Sequence, residues 1–173
     1  MTESTLPSAS HSRSNHIGEL FEQECRDHFR SEGYTILEKQ PKKLHNNKGC
    51  DILARSKTGI ETWIECKCHG GGKKRGGLDD GDTVEQLTGQ LHNLNRGNPR
   101  RAAGHPDRVE IIVAGNLIPT GTPKQWLEQL LDDGLCDQVI ILDKGTNYLM
   151  TRLSDNSSFY RPSACDGQTA LAI

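Results

Sequence analysis

The chain has 173 residues, of which 33% are hydrophobic and 25% are charged, and its formal net charge is −2. No apolar run approaches the length of a membrane span, and the N-terminus has no apolar core of signal-peptide length, so we expect a soluble cytoplasmic protein that contacts no membrane. The near-neutral net charge excludes a generic polyanion binder, and the length allows one domain with its own hydrophobic core.

The N-terminal region predicts a tail followed by an amphipathic helix. Residues 1–14 are rich in Ser, Thr and His without periodicity, so we expect a disordered tail. Asn15 is a preferred N-cap residue, apolar residues recur at helical spacing after it, and Gly33 is a typical helix stop. The sequence therefore predicts a helix between Asn15 and Gly33, and a first strand at residues 34–37.

Two glutamates of this helix are candidate functional residues. Glu24 lies closer to the centre of the apolar stripe by helical-wheel geometry, whereas Glu22 lies at its border. Periodicity alone does not choose between them, and both fit solvated helix charges equally well.

A β-hairpin is predicted next, with strands at residues 50–55 and 60–67 joined by a turn-forming Ser-Lys-Thr-Gly sequence. A hairpin centred on that turn places Asp51 opposite Ile64 or Glu65. Glu65 and Lys67 share a face because they are two residues apart.

Asp51 paired with Glu65 would bring two carboxylates and the Lys67 ammonium to one spot. Carboxylates directly opposite each other destabilise a sheet unless a cation intervenes. Mg²⁺ favours one or two carboxylates together with water and phosphate oxygens, so the pattern suits a divalent cation held against a phosphodiester. The alternative is an edge hairpin whose charged residues are simply solvated.

The remaining sequence completes an alternating pattern of helices and strands. A Gly-rich basic loop spans residues 68–82 and a polar tail spans residues 154–173. The elements predicted between them are a helix at 83–95, a strand at 109–113, a helix at 123–131 and a last strand at 139–142. This order predicts an α/β sandwich over residues 15–153, with a central mixed β-sheet flanked by helices.

The six cysteines favour buried thiols over disulfides. Cys25, Cys50 and Cys66 lie within predicted core elements, and reduced thiols fit a cytosolic protein. A competing possibility is a structural zinc site, although Cys-x-Cys is not the usual spacing and no second cysteine pair follows. Its ligands would be Cys66, Cys68, His69 and His92.

Two basic groups flank the predicted hairpin site and are candidate phosphate contacts. Aromatic residues make up only 5% of the chain, so stacking on single-stranded bases is poorly supported, and double-stranded or branched DNA is the expected partner. The alternative is that these are solvated loop charges. The two groups are Lys42, Lys43 and Lys48 before the hairpin, and Lys73, Lys74 and Arg75 after it.

Several motifs together resemble the PD-(D/E)XK nuclease superfamily, and are most similar to Mrr-type restriction endonucleases and archaeal Holliday-junction resolvases. In those proteins the helix glutamate follows a glycine by four residues and precedes a Gly-aromatic pair by eleven, spacings that Glu22 meets and Glu24 does not. Cys50 stands where the motif has Pro, and Gln86 approximates an auxiliary glutamine motif. The motifs are Gly18-x-x-x-Glu22, Gly33-Tyr34, Gly49-x-Asp51-Ile-Leu and Ile64-Glu65-x-Lys67.

The resemblance implies a restriction-endonuclease-like fold and a Mg²⁺-dependent DNA endonuclease, for which Mn²⁺ can substitute. Asp51, Glu65 and the backbone carbonyl of Cys66 would bind the metal. Lys67 would orient the nucleophilic water or stabilise developing charge, and Glu22 would hold a water or a second ion. The role would be restriction, repair or junction processing. The alternative is a catalytically inactive module of the same fold that binds nucleic acid or a protein partner.

A homodimer is expected because one active site cuts one strand, and a two-fold axis supplies the second site most simply. The helix at 83–95 is one candidate interface, and core packing is the competing explanation for its leucines, Leu87, Leu91 and Leu94.

Overall fold

The structure is a computed structural model that describes residues 9–70, 76–143 and 146–151. Within these ranges it contains three α-helices, a single-turn 3-10 helix at Pro99–Arg101 and six strands. The helices are α1 (Ala9–Ser31), α2 (Gly81–Asn95) and α3 (Gly121–Asp132). The strands are β1 (Thr35–Lys39), β2 (Ile52–Arg55), β3 (Glu61–Lys67), β4 (Val109–Gly115), β5 (Gln138–Asp143) and β6 (Thr146–Thr151).

The strands form one mixed sheet in which spatial order follows chain order, from β1 to β6. β2 is antiparallel to both of its neighbours, β1 and β3, whereas β3, β4 and β5 run parallel and β6 returns antiparallel to β5. α2 connects β3 to β4 and α3 connects β4 to β5, as parallel neighbours require. The predicted α/β sandwich, with a central mixed sheet flanked by helices, is confirmed.

The core lies on both faces of the sheet. One face packs against α1, and the other packs against α2 and α3. Side chains alternate along β3, so that Trp63 belongs to the α2/α3 side and Ile64 to the α1 side. The predicted helix leucines Leu87, Leu91 and Leu94 are fully buried on the α2/α3 side, so they serve the core and are not an interface.

The structure differs from the sequence prediction at the start of α1 and at β6. α1 begins at Ala9 instead of after Asn15, so residues 9–14 are helical and the predicted tail boundary at residue 14 is wrong. No glycine or proline interrupts that stretch, and helix propagation across it needs no apolar periodicity. β6 was missed because the strand is a short, largely polar edge strand with little alternation. The polar tail predicted at residues 154–173 lies outside the described residues.

The thiol prediction is confirmed, because Cys25, Cys50 and Cys66 are free and pack within the core clusters. The zinc alternative does not assemble: Cys66 packs on the α1 side, whereas His92 is exposed on α2 across the sheet. Among the helices of the described part of the chain, none is long and apolar enough to cross a membrane.

Candidate functional site

The β2–β3 hairpin places the predicted charged residues at one end of the sheet. Its turn is closed by hydrogen bonds between Ser56 and the segment up to Ile60, and Gly59 adopts φ +86°, a conformation that favours glycine. The register pairs Ile52 with Ile64, and the N–H of the preceding Asp51 donates to the same Ile64 carbonyl, so Asp51 lies next to Glu65. The hairpin geometry predicted from the turn sequence is confirmed.

Asp51 is fixed by both its backbone and its side chain. Its N–H donates to the Ile64 carbonyl at 3.1 Å, and its Oδ2 accepts from the Cys66 N–H at 2.7 Å. Just before Asp51, the chain passes close to Pro41, whose carbonyl accepts from the Cys50 N–H at 3.2 Å. Gly49 permits this contact, because a Cβ there would lie 1.5 Å from the Pro41 carbonyl oxygen. One carboxylate oxygen of Asp51 is therefore anchored on β3.

Glu65 is a buried acid with 3% of its surface exposed. Its Oε2 lies 3.4 Å from Lys67 Nζ, which is its one ion pair among the described residues. Burial and the neighbouring Asp51 charge raise the pKa of Glu65 to about 7, although Lys67 opposes the rise. The strand therefore holds a carboxyl that gives up its proton near neutral pH and gains from any added positive charge.

Glu22 reaches the same place from α1. Burial and the negative charge of Asp51 raise the pKa of Glu22. Its carboxylate lies 3.6 Å from Arg26 Nη1 and accepts from Gln40 Nε2 at 3.3 Å. Glu24 is exposed on the same helix. The glutamate close to Asp51 is therefore Glu22, which the motif spacing favoured and the helical wheel did not.

Gln40 and Arg26 were missed by the sequence reasoning. Gln40 has φ +49°, and its N–H donates to the Asp51 carbonyl at 2.8 Å, so it links Glu22 to the Asp51 backbone. Nothing in a glutamine codes for a left-handed conformation, so no sequence signal existed. Arg26 was detectable, because it lies four residues after Glu22 on a helix.

The basic residues predicted to contact nucleic acid divide into two groups. Lys42, Lys43 and Lys48 are exposed on the loop that joins β1 to β2 and ends at Asp51. That loop is tied to the C-terminal end of α2, because Asn46 Nδ2 donates to the carbonyl of Asn93 at 3.0 Å and to that of Arg96, just after the helix, at 2.8 Å. The second group, Lys73, Lys74 and Arg75, lies outside the described residues.

Gln86 is exposed on α2, in the layer opposite α1. Within the described residues no hydrogen bond links Gln86 to Glu22, Asp51, Glu65 or Lys67. Its predicted auxiliary role stays a prediction.

The donor chemistry of the site fits a hard divalent cation. Asp51 and Glu65 offer carboxylate oxygens, and Mg²⁺ needs only one or two carboxylates besides water and substrate oxygens. The carbonyl and N–H of one strand residue point to the same neighbouring strand, so the Cys66 carbonyl lies on the Asp51 side. Among the described residues, no three His, Cys, Asp or Glu side chains are grouped as metal ligands.

Comparisons with known proteins give limited information. No family model matches the chain, and no curated protein matches it. The solved structure of Pyrococcus furiosus SfsA in complex with Ca²⁺ is similar at 16% identity and a TM-score of 0.35. The match covers 83% of this chain and 62% of that chain, so this chain spans less than two thirds of the SfsA chain. The function therefore has to be argued from the site itself.

Proposed function

We propose that the protein is a Mg²⁺-dependent DNA endonuclease of the PD-(D/E)XK type, which hydrolyses phosphodiester bonds. The observation that carries this proposal is the buried Glu65 carboxyl, held near Asp51 and Glu22, with Lys67 as its cationic partner. A protein gains nothing in stability from such a group of like charges. Their cost is explained if the site binds a cation and a substrate.

Asp51, Glu65 and the Cys66 carbonyl would hold the metal, and Mn²⁺ would substitute for Mg²⁺. When bound, the metal polarises the scissile phosphate and makes water a better nucleophile at neutral pH. The protein supplies the other functions. Lys67, already drawn toward Glu65, orients the attacking water and offsets the negative charge that develops on the phosphate.

Glu22 would order water at the edge of the site. Gln40 and Arg26 hold its carboxylate in place, and Gln40 also binds the backbone of Asp51. Any shift of α1 relative to the hairpin is therefore transmitted to both carboxylates. This coupling supports a hydrolytic site over a set of independent surface charges, because positional accuracy matters only where reacting atoms must be aligned.

DNA is the proposed substrate because the loop that ends at Asp51 is basic. Its exposed lysines, Lys42, Lys43 and Lys48, would contact phosphates on either side of the scissile bond. Such contacts carry no sequence information, so they suit a duplex or branched DNA recognised through its backbone. Lys73, Lys74 and Arg75 remain candidate phosphate contacts from the sequence alone.

The test is cleavage of linear, supercoiled and branched DNA with Mg²⁺, with Mn²⁺ and with EDTA. We expect metal-dependent cleavage that Asp51→Asn and Glu65→Gln each reduce at least about 100-fold, or roughly 2.7 kcal/mol of barrier. Both substitutions keep the size of the side chain, and the exposed Glu24→Gln is the matched control. Undiminished cleavage by both site variants would refute the proposal. DNA binding by the wild type without cleavage in either metal would favour the inactive binding module.

A further inference from the structure

His69 lies two residues beyond Lys67, where β3 ends, and the proposed mechanism leaves it unused. Cys66 and Cys68 both pack into the cluster on the α1 side of the sheet. Because side chains alternate along an extended chain, Glu65, Lys67 and His69 share the opposite side. His69 therefore extends the row of side chains that begins with the buried acid.

The imidazole is oriented by two oxygen atoms on one side of the ring. Nδ1 lies 3.0 Å from the Gly76 carbonyl and 3.4 Å from Asp79 Oδ1. A lone pair on Nδ1 would face two acceptors, so Nδ1 carries the hydrogen and donates it to Gly76. Asp79 Oδ1 is buried and accepts no hydrogen bond within the described part of the chain, which leaves it facing the ring.

Nε2 is consequently the ring nitrogen that points away from this anchor. No hydrogen bond engages it within the part of the chain that the structure describes, and the His69 side chain is 23% exposed. The ring is thus positioned with one nitrogen anchored on a backbone carbonyl and the other available to a ligand.

The backbone of His69 is equally well fixed. Its N–H donates to Asn116 Oδ1 at 2.7 Å, and Asn116 Nδ2 donates to the His69 carbonyl at 3.1 Å. Gly77 packs directly on this segment, because a Cβ there would lie 2.8 Å from the His69 nitrogen. Such a support shell is what a residue needs to present one ring nitrogen at a defined position.

We propose that His69 is the general acid of the hydrolysis, an inference that rests on the proposed function. In an in-line displacement the leaving oxygen departs on the side of the phosphorus opposite the attacking water. Lys67 acts on the water, and His69, the second residue after the end of β3, has its Cα at most roughly 7 Å from that of Lys67. The two side chains can therefore act on opposite sides of a single phosphate.

The water oxygen bonds to phosphorus while the bond from phosphorus to the leaving oxygen breaks. The leaving oxygen takes the proton from His69 Nε2. The water loses a proton to solvent, and the neutral imidazole regains one from solvent for the next turnover. No oxidant, reductant or co-reactant is needed.

The test replaces the leaving oxygen with sulfur. Mapping the product ends identifies which bridging oxygen leaves, and a duplex with sulfur at that position then releases a thiolate that needs no proton. His69→Gln keeps an amide that can donate to Gly76, so it preserves the anchor while removing the acid. Rates are measured in Mn²⁺ as well as Mg²⁺, because Mn²⁺ tolerates sulfur.

We expect His69→Gln to slow cleavage of the oxygen substrate by about 100-fold, the usual scale of general acid catalysis, and to leave the sulfur substrate within about threefold of wild type. The exposed His92→Gln is the matched control and should change neither rate. Equal slowing of both substrates would mean that His69 is structural, and unchanged rates would mean that it is idle; either result overturns the inference. A wild type that cleaves neither substrate would instead refute the proposed function.

Discussion

Replacing Glu65 with glutamine should change how the free energy of unfolding depends on pH. Burial and Asp51 raise the pKa of Glu65 from 4.5 to about 7 in the folded protein. Between these values the folded state binds more protons than the unfolded state, so stability falls as the pH rises. The shift corresponds to about 3 kcal/mol of unfolding free energy lost by pH 8, of which most disappears above pH 5.

Urea unfolding without divalent cations, at intervals from pH 5 to pH 8, measures this loss. Glu65→Gln has no proton to release, so its unfolding free energy should not show this loss. Relative to the wild type, the unfolding free energy of the variant should rise by about 2–3 kcal/mol between pH 5 and pH 8. Glu24→Gln, exposed on α1, should follow the wild type throughout. Parallel stability curves for the wild type and Glu65→Gln would show that the carboxyl is not destabilised by its surroundings, and the main support for the proposed function would be lost.

Three further predictions concern the helix, the metal and assembly. Glu22→Gln should lower cleavage at least about tenfold, roughly 1.4 kcal/mol, while Glu24→Gln stays near the wild-type rate; a worse Glu24→Gln would show that the wrong helix residue was chosen. Mg²⁺ should restore the stability that the wild type loses at pH 8 and leave Glu65→Gln almost unchanged, as urea unfolding with and without Mg²⁺ would show. Light scattering should detect a homodimer on uncleaved duplex, and a monomer that still breaks both strands in one binding event would refute that.

The hairpin could be predicted from sequence because its information is local. A turn signal at residues 56–59 fixes the register, and the period of two then decides which side chains share a face. Asp51, Glu65 and Lys67 were brought together by those two rules alone. Glu22 was harder to predict as a site residue. Helical periodicity identifies the residues at the centre of the buried stripe, whereas a residue whose side chain extends past the end of the sheet lies at the border of that stripe.

The unpredicted features depend on distant contacts. The positive φ of Gln40 is set by the loop that returns to Asp51, and glutamine itself gives no hint of it. β6 carries little apolar pattern and exists because it pairs with all six residues of β5. The start of α1 lacks the apolar repeat that marks its remainder. In each case the conformation depends on contacts with residues distant in sequence, and local sequence patterns carry no information about those contacts.

The position of the site follows from the change of direction within the sheet. β3 is antiparallel to β2 on one side and parallel to β4 on the other. The antiparallel neighbour, β2, begins opposite Ile64, so Asp51, the residue before β2, lies close to Glu65. The parallel neighbour ends where β3 ends, so the residue that follows it, Asn116, meets His69. The segment from Glu65 to His69 is therefore contacted from both sides, by Asp51 before β2 and by Asn116 after β4. Asp51 is fixed by the hairpin and His69 by Asn116, the residue that follows β4. If the protein is the proposed nuclease, Asp51→Asn and His69→Gln should therefore perturb different steps. The sulfur-substituted duplex separates them, because only Asp51→Asn should slow its cleavage.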